Sequence, residues 1–188
     1  GQLSHDEMKL VAQGAGPVNA AARMIDAPVY LIDVGLEQDT SDIEGVLTQK
    51  VIRGTHFGHP AMDDEVTAAA ISVGMSVGKT LAGQGIEVIG LGNIGERSML
   101  SALAVTTAIM KEDLKKASEK TGFALNISDV GDFAKDPVGT LSIVGSAEIA
   151  ALFGLVVEAA RCNMMVVFDN AVIIAYEEKY LPLLAAMA

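Results

Sequence analysis

Ile86-Glu87-Val88-Ile89-Gly90-Leu91-Gly92-Asn93-Ile94-Gly95-Glu96-Arg97-Ser98 is the stretch whose reading decides the fold. An apolar run ends in a glycine-rich turn, and the turn opens a long helix of small residues, Ser98 to Met110. The order is strand, loop, helix. A βα turn of this kind aims backbone N–H groups and the positive end of the helix dipole at whatever lies above the strand, which suits a phosphate. Gly90, Gly92, Asn93, Gly95, Arg97 and Ser98 are therefore candidate ligand-binding residues.

Working outward toward the N-terminus, Asp63-Asp64-Glu65 opens an amphipathic helix through Val66, Ala70, Val73, Val77 and Leu81, closed by Gly83-Gln84-Gly85. Before it, residues 50–60 gather Lys50, Arg53, His56 and His59. No carboxylate or Cys stands at a metal-site spacing from the two histidines, so Arg53 or the histidines lining an anionic pocket is the preferred reading. Val29-Tyr30-Leu31-Ile32-Asp33-Val34-Gly35 has the pattern of a buried parallel strand. Asp33, near its C-terminal end, either faces the ligand crevice or caps the following turn; both readings stand. Residues 37–48 are polar and acidic, a surface loop. At the start of the chain Ser4 caps a helix with Glu7 as the return partner of a capping box, and Met8, Val11 and Ala12 follow at helical spacing. Gly14-Ala15-Gly16-Pro17 interrupts, a small-residue helix restarts at Val18, and Ala27-Pro28 ends it.

On the C-terminal side, residues 111–120 read as a charged, solvated helix and residues 121–138 as irregular, with Asp129-Val130-Gly131-Asp132 and Asp136-Pro137 as turn signals. Leu141-Ser142-Ile143-Val144 reads as a short strand, Gly145-Ser146-Ala147-Glu148 as a second glycine turn, and Ile149 to Arg161 as a helix. Met164-Met165-Val166-Val167-Phe168 is a further buried-strand candidate, ending in Asp169-Asn170 before a closing helix with Val172, Ile173, Tyr176 and Leu181. Strands feeding helices through Gly, Asp or Asn turns predict an α/β fold. The expected form is three-layer, a mostly parallel sheet with helices on both faces and glycine-rich βα loops at the C-terminal strand edge. One domain over residues 1–188 is expected.

Composition narrows the function. The formal net charge is −11, from 13 Lys+Arg against 24 Asp+Glu, and there is no Trp, so a nucleic-acid partner is not expected. The apolar runs are broken by Gly or charge before they reach bilayer length, and Gly1-Gln2-Leu3-Ser4 lacks the basic and apolar regions of a signal peptide. A single cysteine, Cys162, fits a reducing, cytoplasmic setting. Gly90-Leu91-Gly92-Asn93-Ile94-Gly95 matches the dinucleotide fingerprint, but the acidic strand end required about twenty positions on is replaced by the charged segment Lys111-Glu112-Asp113-Leu114-Lys115-Lys116. NAD therefore ranks low, no Gly-Lys-Ser/Thr supports a P-loop, and neither cofactor nor metal is expected.

Several segments stand in the order of one family. Val18-Asn19-Ala20-Ala21-Ala22-Arg23 precedes Asp33-Val34-Gly35; Lys50-Val51-Ile52-Arg53-Gly54-Thr55 and Pro60-Ala61-Met62 follow; then come the glycine loop, Gly145-Ser146-Ala147-Glu148-Ile149-Ala150 and Val166-Val167-Phe168-Asp169. The chain resembles the nicotinate-nucleotide:dimethylbenzimidazole phosphoribosyltransferases of cobalamin lower-ligand assembly, as a shortened and divergent member. The resemblance implies transfer of phosphoribose from nicotinate mononucleotide to an aromatic base, with inversion at the sugar carbon. A carboxylate would take the attacking nitrogen's proton and glycine-loop N–H groups would hold the 5′-phosphate. It makes Glu148 the candidate catalytic carboxylate. Asp33, Arg53, Gly145, Ser146 and Asp169 join the glycine loop as candidate substrate-binding residues.

The departures matter. The family loop usually reads Gly-Glu-Met-Gly-Ile-Gly-Asn-Thr-Thr, and here Leu91 stands where its glutamate would be and Glu96-Arg97-Ser98 where Asn-Thr-Thr would be. Leu91 takes no proton; Glu96 would repel a phosphate unless Arg97 turned inward to compensate. The family's N-terminal proline-glycine segment and its C-terminal segment with another glutamate are expected to be missing. Two functions follow: a divergent phosphoribosyltransferase, or a catalytically inactive paralogue that binds a nucleotide or base, or acts as a scaffolding subunit. A homodimer or a complementary subunit is the expected assembly.

Overall fold

The computed structural model describes residues 2–54, 60–111, 113–122 and 134–168, and the account of the structure is confined to them. Two helices, α1 (Gln2–Ala12) and α2 (Pro17–Met24), precede strands β1 (Leu31–Asp33) and β2 (Val46–Thr48). The long helix α3 (Asp64–Gly83) leads to β3 (Val88–Gly90), then α4 (Ser98–Met110), α5 (Leu114–Thr121), α6 (Pro137–Val144), α7 (Ala147–Arg161) and β4 (Met165–Val167). The fold is α/β and, among the described residues, every strand pairing is parallel. The strands lie in two pairs, β1–β2 with Leu31 opposite Val46 and β3–β4 with Val88 opposite Met165.

Helix α3 starts where its acidic turn predicts: the Asp63 side chain accepts from the Val66 N–H at 2.7 Å. Its most buried face is Thr67, Ala70, Gly74, Gly78 and Leu81; Ala70 and Leu81 stand as the sequence reading has them, while Val66, Val73 and Val77 are half-buried beside that face. That face packs on α7, because the glycines let two backbones meet. A Cβ added at Gly74 would collide with the Ala151 carbonyl oxygen, and one at Gly154 with the Ile71 carbonyl oxygen. At 20 residues α3 is, among the described residues, the one helix long and apolar enough to cross a membrane, contrary to the expectation that every apolar run is too short. Its small-residue face is engaged within the protein, as a core helix requires. Ala70, Ala147, Ala150 and Ala151 form one core with Val34 and Met62; Val105, Val144, Leu141, Ile89 and Leu91 belong to a second around α4 and α6.

Several local expectations are corrected. Leu141-Ser142-Ile143-Val144 is not a strand but the last turns of α6. The preceding Asp136 accepts from the Gly139 N–H at 2.8 Å and Pro137 occupies the first turn, a helix start that four apolar residues cannot reveal by periodicity. The second glycine turn therefore joins two helices rather than a strand and a helix. Ser4 does not cap α1: it lies inside the helix and is buried. Val46–Thr48, placed in a surface loop by its acidic surroundings, is a strand beside β1. The Val29 to Gly35 run is shorter and less buried as a strand than its composition indicates, with Tyr30 53% exposed, and β4 likewise leaves Met165 and Val167 exposed rather than buried. The closing helix expected after Asn170 lies outside the described residues.

Lys111 adopts the left-handed conformation that ends α4, and the charged helix begins only at Leu114, where Asp113 accepts from the Lys116 N–H at 3.0 Å. Gly74→Ala tests the α3–α7 contact. It is expected to lower unfolding free energy by about 3 kcal/mol in a denaturant titration, as overpacking against backbone does, while exposed Ser72→Ala on the same helix changes it by less than about 0.5 kcal/mol.

Candidate functional site

The glycine loop leaves β3 as the sequence predicts. Leu91 extends the ladder, its N–H donating to the Val167 carbonyl at 3.0 Å, and its side chain is 7% exposed, part of the core. Gly90 and Gly92 border open space, since an added Cβ at either would meet nothing within 4 Å. Gly95 is enclosed: a Cβ there would collide with Ser98 Oγ and lie 3.3 Å from Glu148 Oε1. Only glycine fits that position without a shift. At the start of α4 the N-cap residue Arg97 makes no side-chain cap. The N–H groups of Ser98 and Leu100 donate to the Gly95 and Arg97 carbonyls at 3.3 and 3.0 Å, so the helix end offers a ligand fewer donors than an uncapped terminus.

Opposite the loop stands the first turn of α7. Ser98 Oγ donates to Glu148 Oε1 at 2.8 Å, joining the two glycine turns across 50 residues of chain. Gly145 and Ser146 precede this turn, and Ala147 Cβ lies 3.1 Å from where a Gly35 Cβ would sit, so the turn after β1 forms a third wall. Gly35, Gly95, Ser98 and the Gly145 to Glu148 turn are thus brought together. Arg53 and Arg97 are exposed, Asn93 is half-buried, and Asp169, His56 and His59 lie outside the described residues.

Asp33 resolves in favour of its structural role. It is 1% exposed, and its Oδ1 accepts from the Gly35 and Leu36 N–H groups at 3.1 and 2.8 Å, while Oδ2 accepts from Thr40 Oγ1 at 2.5 Å. Lys50 Nζ pairs with Oδ2 at 3.2 Å and also donates to the Gln38 carbonyl. Both oxygens of the carboxylate are thus engaged inside the protein. Glu96 also has a role that the sequence reading missed. Its Oε1 accepts from the Leu3 and Ser4 N–H groups at 2.7 and 3.2 Å, and its own N–H donates to Ser4 Oγ at 2.9 Å. The carboxylate expected to repel a phosphate is drawn instead to the positive start of α1, which it caps from 92 residues away.

Sequence reasoning leaves Thr40 unplaced; it reads Ser4 as a cap and Lys50 as one of a basic group, and the partners they have here could not be read from spacing. Among the described residues no group of three or more His, Cys, Asp or Glu is arranged to hold a metal ion. A cavity of about 270 Å³ between α1, α2 and β1 is lined by Val11, Asn19, Arg23 and Leu31 among others, below the usual range for small-molecule sites. Its two polar side chains are engaged: Asn19 Oδ1 accepts from the Gly16 N–H at 2.9 Å and Arg23 donates to the Gly14 carbonyl at 2.8 Å.

The α/β fold, with its glycine loop facing a carboxylate-bearing helix start, has a specific match among known proteins. The phosphoribosyltransferase family model matches residues 2–176, and the chain belongs to that family. Among curated relatives, nicotinate-nucleotide–dimethylbenzimidazole phosphoribosyltransferase of Geotalea uraniireducens is 31% identical over 177 residues, covering 84% of this chain and 49% of its own length. The protein of the same name from Geobacter sulfurreducens is 29% identical with the same coverage. The chain thus spans about half the length of the curated relatives it matches. The crystal structure of the Thermus thermophilus protein with this name superimposes with a TM-score of 0.78 at 21% identity, over 93% of this chain and 56% of that one.

Two substitutions separate structural from ligand roles here. Asp33→Ala is expected to cost about 3–5 kcal/mol of stability in a denaturant titration, because it leaves Lys50 without its buried partner. Glu96→Ala is expected to speed hydrogen exchange of the amides of residues 91–98, whereas Glu96→Gln, which keeps an acceptor, stays close to the native rates.

Proposed function

We propose that this chain binds nicotinate mononucleotide or a related nucleotide and transfers its phosphoribose to an aromatic base such as dimethylbenzimidazole. The observation that carries the reading is the 2.8 Å hydrogen bond from Ser98 to Glu148, which joins the glycine loop to a carboxylate. In this reading the open backbone at Gly90 and Gly92 admits the phosphate, and Asn93, Gly95, Arg97, Ser98, Gly145, Arg53 and Asp169 contribute to the substrate site. Glu148 is the base. Ser98 holds one of its oxygens, and the other takes the proton of the attacking ring nitrogen. No metal or cofactor enters the proposed reaction. The names of the curated relatives support the choice of substrates.

A second reading rests on Leu91. Its side chain is packed in the core, so the loop supplies no carboxylate at that position, and a protein that binds the nucleotide or base without turnover is the alternative. The chain acts in the cytoplasm in either case, as its single cysteine supports, and as a homodimer or with a complementary subunit. Exposed Leu3, Met24 and Ile25 supply apolar surface for such contact.

Calorimetry with nicotinate mononucleotide, nicotinate and dimethylbenzimidazole, followed by an assay for released nicotinate, decides between the readings. Turnover in the wild type and a loss of about 100-fold or more in Glu148→Gln is the expected result. Nucleotide binding without turnover selects the second reading, and absence of binding to all three removes both.

A further inference from the structure

Ser146 is the N-cap of α7, with extended backbone angles of φ −152° and ψ 163°. A serine in this position ordinarily accepts a hydrogen bond from the second or third N–H of its helix. Ser146 makes no such bond, although it is only 2% exposed, and among the described residues its Oγ has no hydrogen-bond partner. A buried hydroxyl left unpaired costs stability, and a native chain that keeps one requires an explanation. The segment of the family that this turn resembles reads Gly-Gly-Phe-Glu, so the hydroxyl is a feature of this chain.

The surroundings say what kind of group it would receive. The first turn of α7 lies between the glycine loop, which Glu148 reaches through Ser98, and the turn after β1, where Ala147 meets Gly35. The dipole of a 15-residue helix favours an acceptor oxygen at this end. The Glu148 carboxylate, two residues on, disfavours a second full negative charge beside it. A neutral hydroxyl meets both conditions, because its oxygen accepts from Ser146 while its hydrogen is free to bond a carboxylate oxygen.

We propose that Ser146 is a specificity-determining residue whose hydroxyl donates to a sugar hydroxyl of the bound nucleotide. The inference rests on the phosphoribosyl reading above and assigns one contact within it. The exclusion of water around Ser146 Oγ strengthens such a bond, since nothing else competes for the donor.

The test is a cycle between side chain and ligand. Wild type and Ser146→Ala are titrated calorimetrically with nicotinate mononucleotide and with its 2′-deoxy and 3′-deoxy analogues, and their melting temperatures are measured without ligand. Ser146→Ala is expected to bind the ribonucleotide about tenfold more weakly, the size of one lost hydrogen bond, and to bind one of the two deoxy analogues as the wild type does. Its melting temperature without ligand is expected to be unchanged or higher, because an unpaired buried hydroxyl has been removed. Equal affinity of the two proteins for the ribonucleotide overturns the proposal. So does an equal loss for all three ligands, which would assign Ser146 to the phosphate or the base, and so does a lowered melting temperature, which would make its role structural. A wild type that binds none of the ligands removes the phosphoribosyl reading together with this one.

Discussion

The close approach of α3 and α7 is the constraint on which the rest of the structure depends. Two backbones meet where Gly74 faces Ala151 and Gly154 faces Ile71, with no room for a side chain between them. Because both helices are rigid rods, fixing that crossing fixes their ends. The N-terminal end of α7 carries Ser146 and Glu148, and the start of α3 is tied to α6 through Thr67, Ser142 and Asp64. Ser142 Oγ lies 2.9 Å from Thr67 Oγ1 and donates to Asp64 Oδ1 at 2.7 Å. The position of the candidate carboxylate is therefore set by packing some distance away from it.

Polar cross-links finish what the packing begins. Short parallel strands of three residues hold little by themselves, and the turns that follow them are secured by buried or capping carboxylates. Asp33 fastens the turn after β1 with three hydrogen bonds and Lys50; Glu96 fastens the glycine loop to the first turn of α1. Ser98 then joins that loop to α7. Each carboxylate that sequence reasoning set near the ligand, and that the structure describes, thus bonds first to the protein. Of these, Glu148 is the one whose bond joins the first turn of α7 to the glycine loop.

What the sequence made legible was whatever depends on local chemistry. The glycine loop after β3, the acidic start of α3, the buried character of α4 and the parallel strand at 165–167 all follow from turn residues, caps and apolar runs. What failed depends on contacts between distant segments. Ser4 has the letters of a cap but is buried against a loop 92 residues away, and its helix is capped by Glu96 instead. Leu141 to Val144 is apolar enough for a strand, yet Asp136 and Pro137 had already started a helix. On α3 the pattern finds Ala70 and Leu81 but not Gly74 and Gly78, because glycine has no side chain to register in a hydrophobic pattern, although it governs how near the helices come. In the site, Asp33 stood between two readings that spacing alone could not separate, because its deciding partners, Thr40 and Lys50, lie 7 and 17 residues on in an acidic loop.

The two turns that meet at Ser98 and Glu148 differ in what they can contribute. On the glycine-loop side, Leu91 is committed to the core and Glu96 to α1, so the loop offers backbone, the Ser98 hydroxyl and space. On the α7 side, a carboxylate and an unpaired buried hydroxyl stand two residues apart in the first turn of one helix. On the proposed reading, binding falls to the loop and proton transfer to the helix start. With Leu91 in the core, the carboxylate that meets the glycine loop from the opposite turn is that of Glu148.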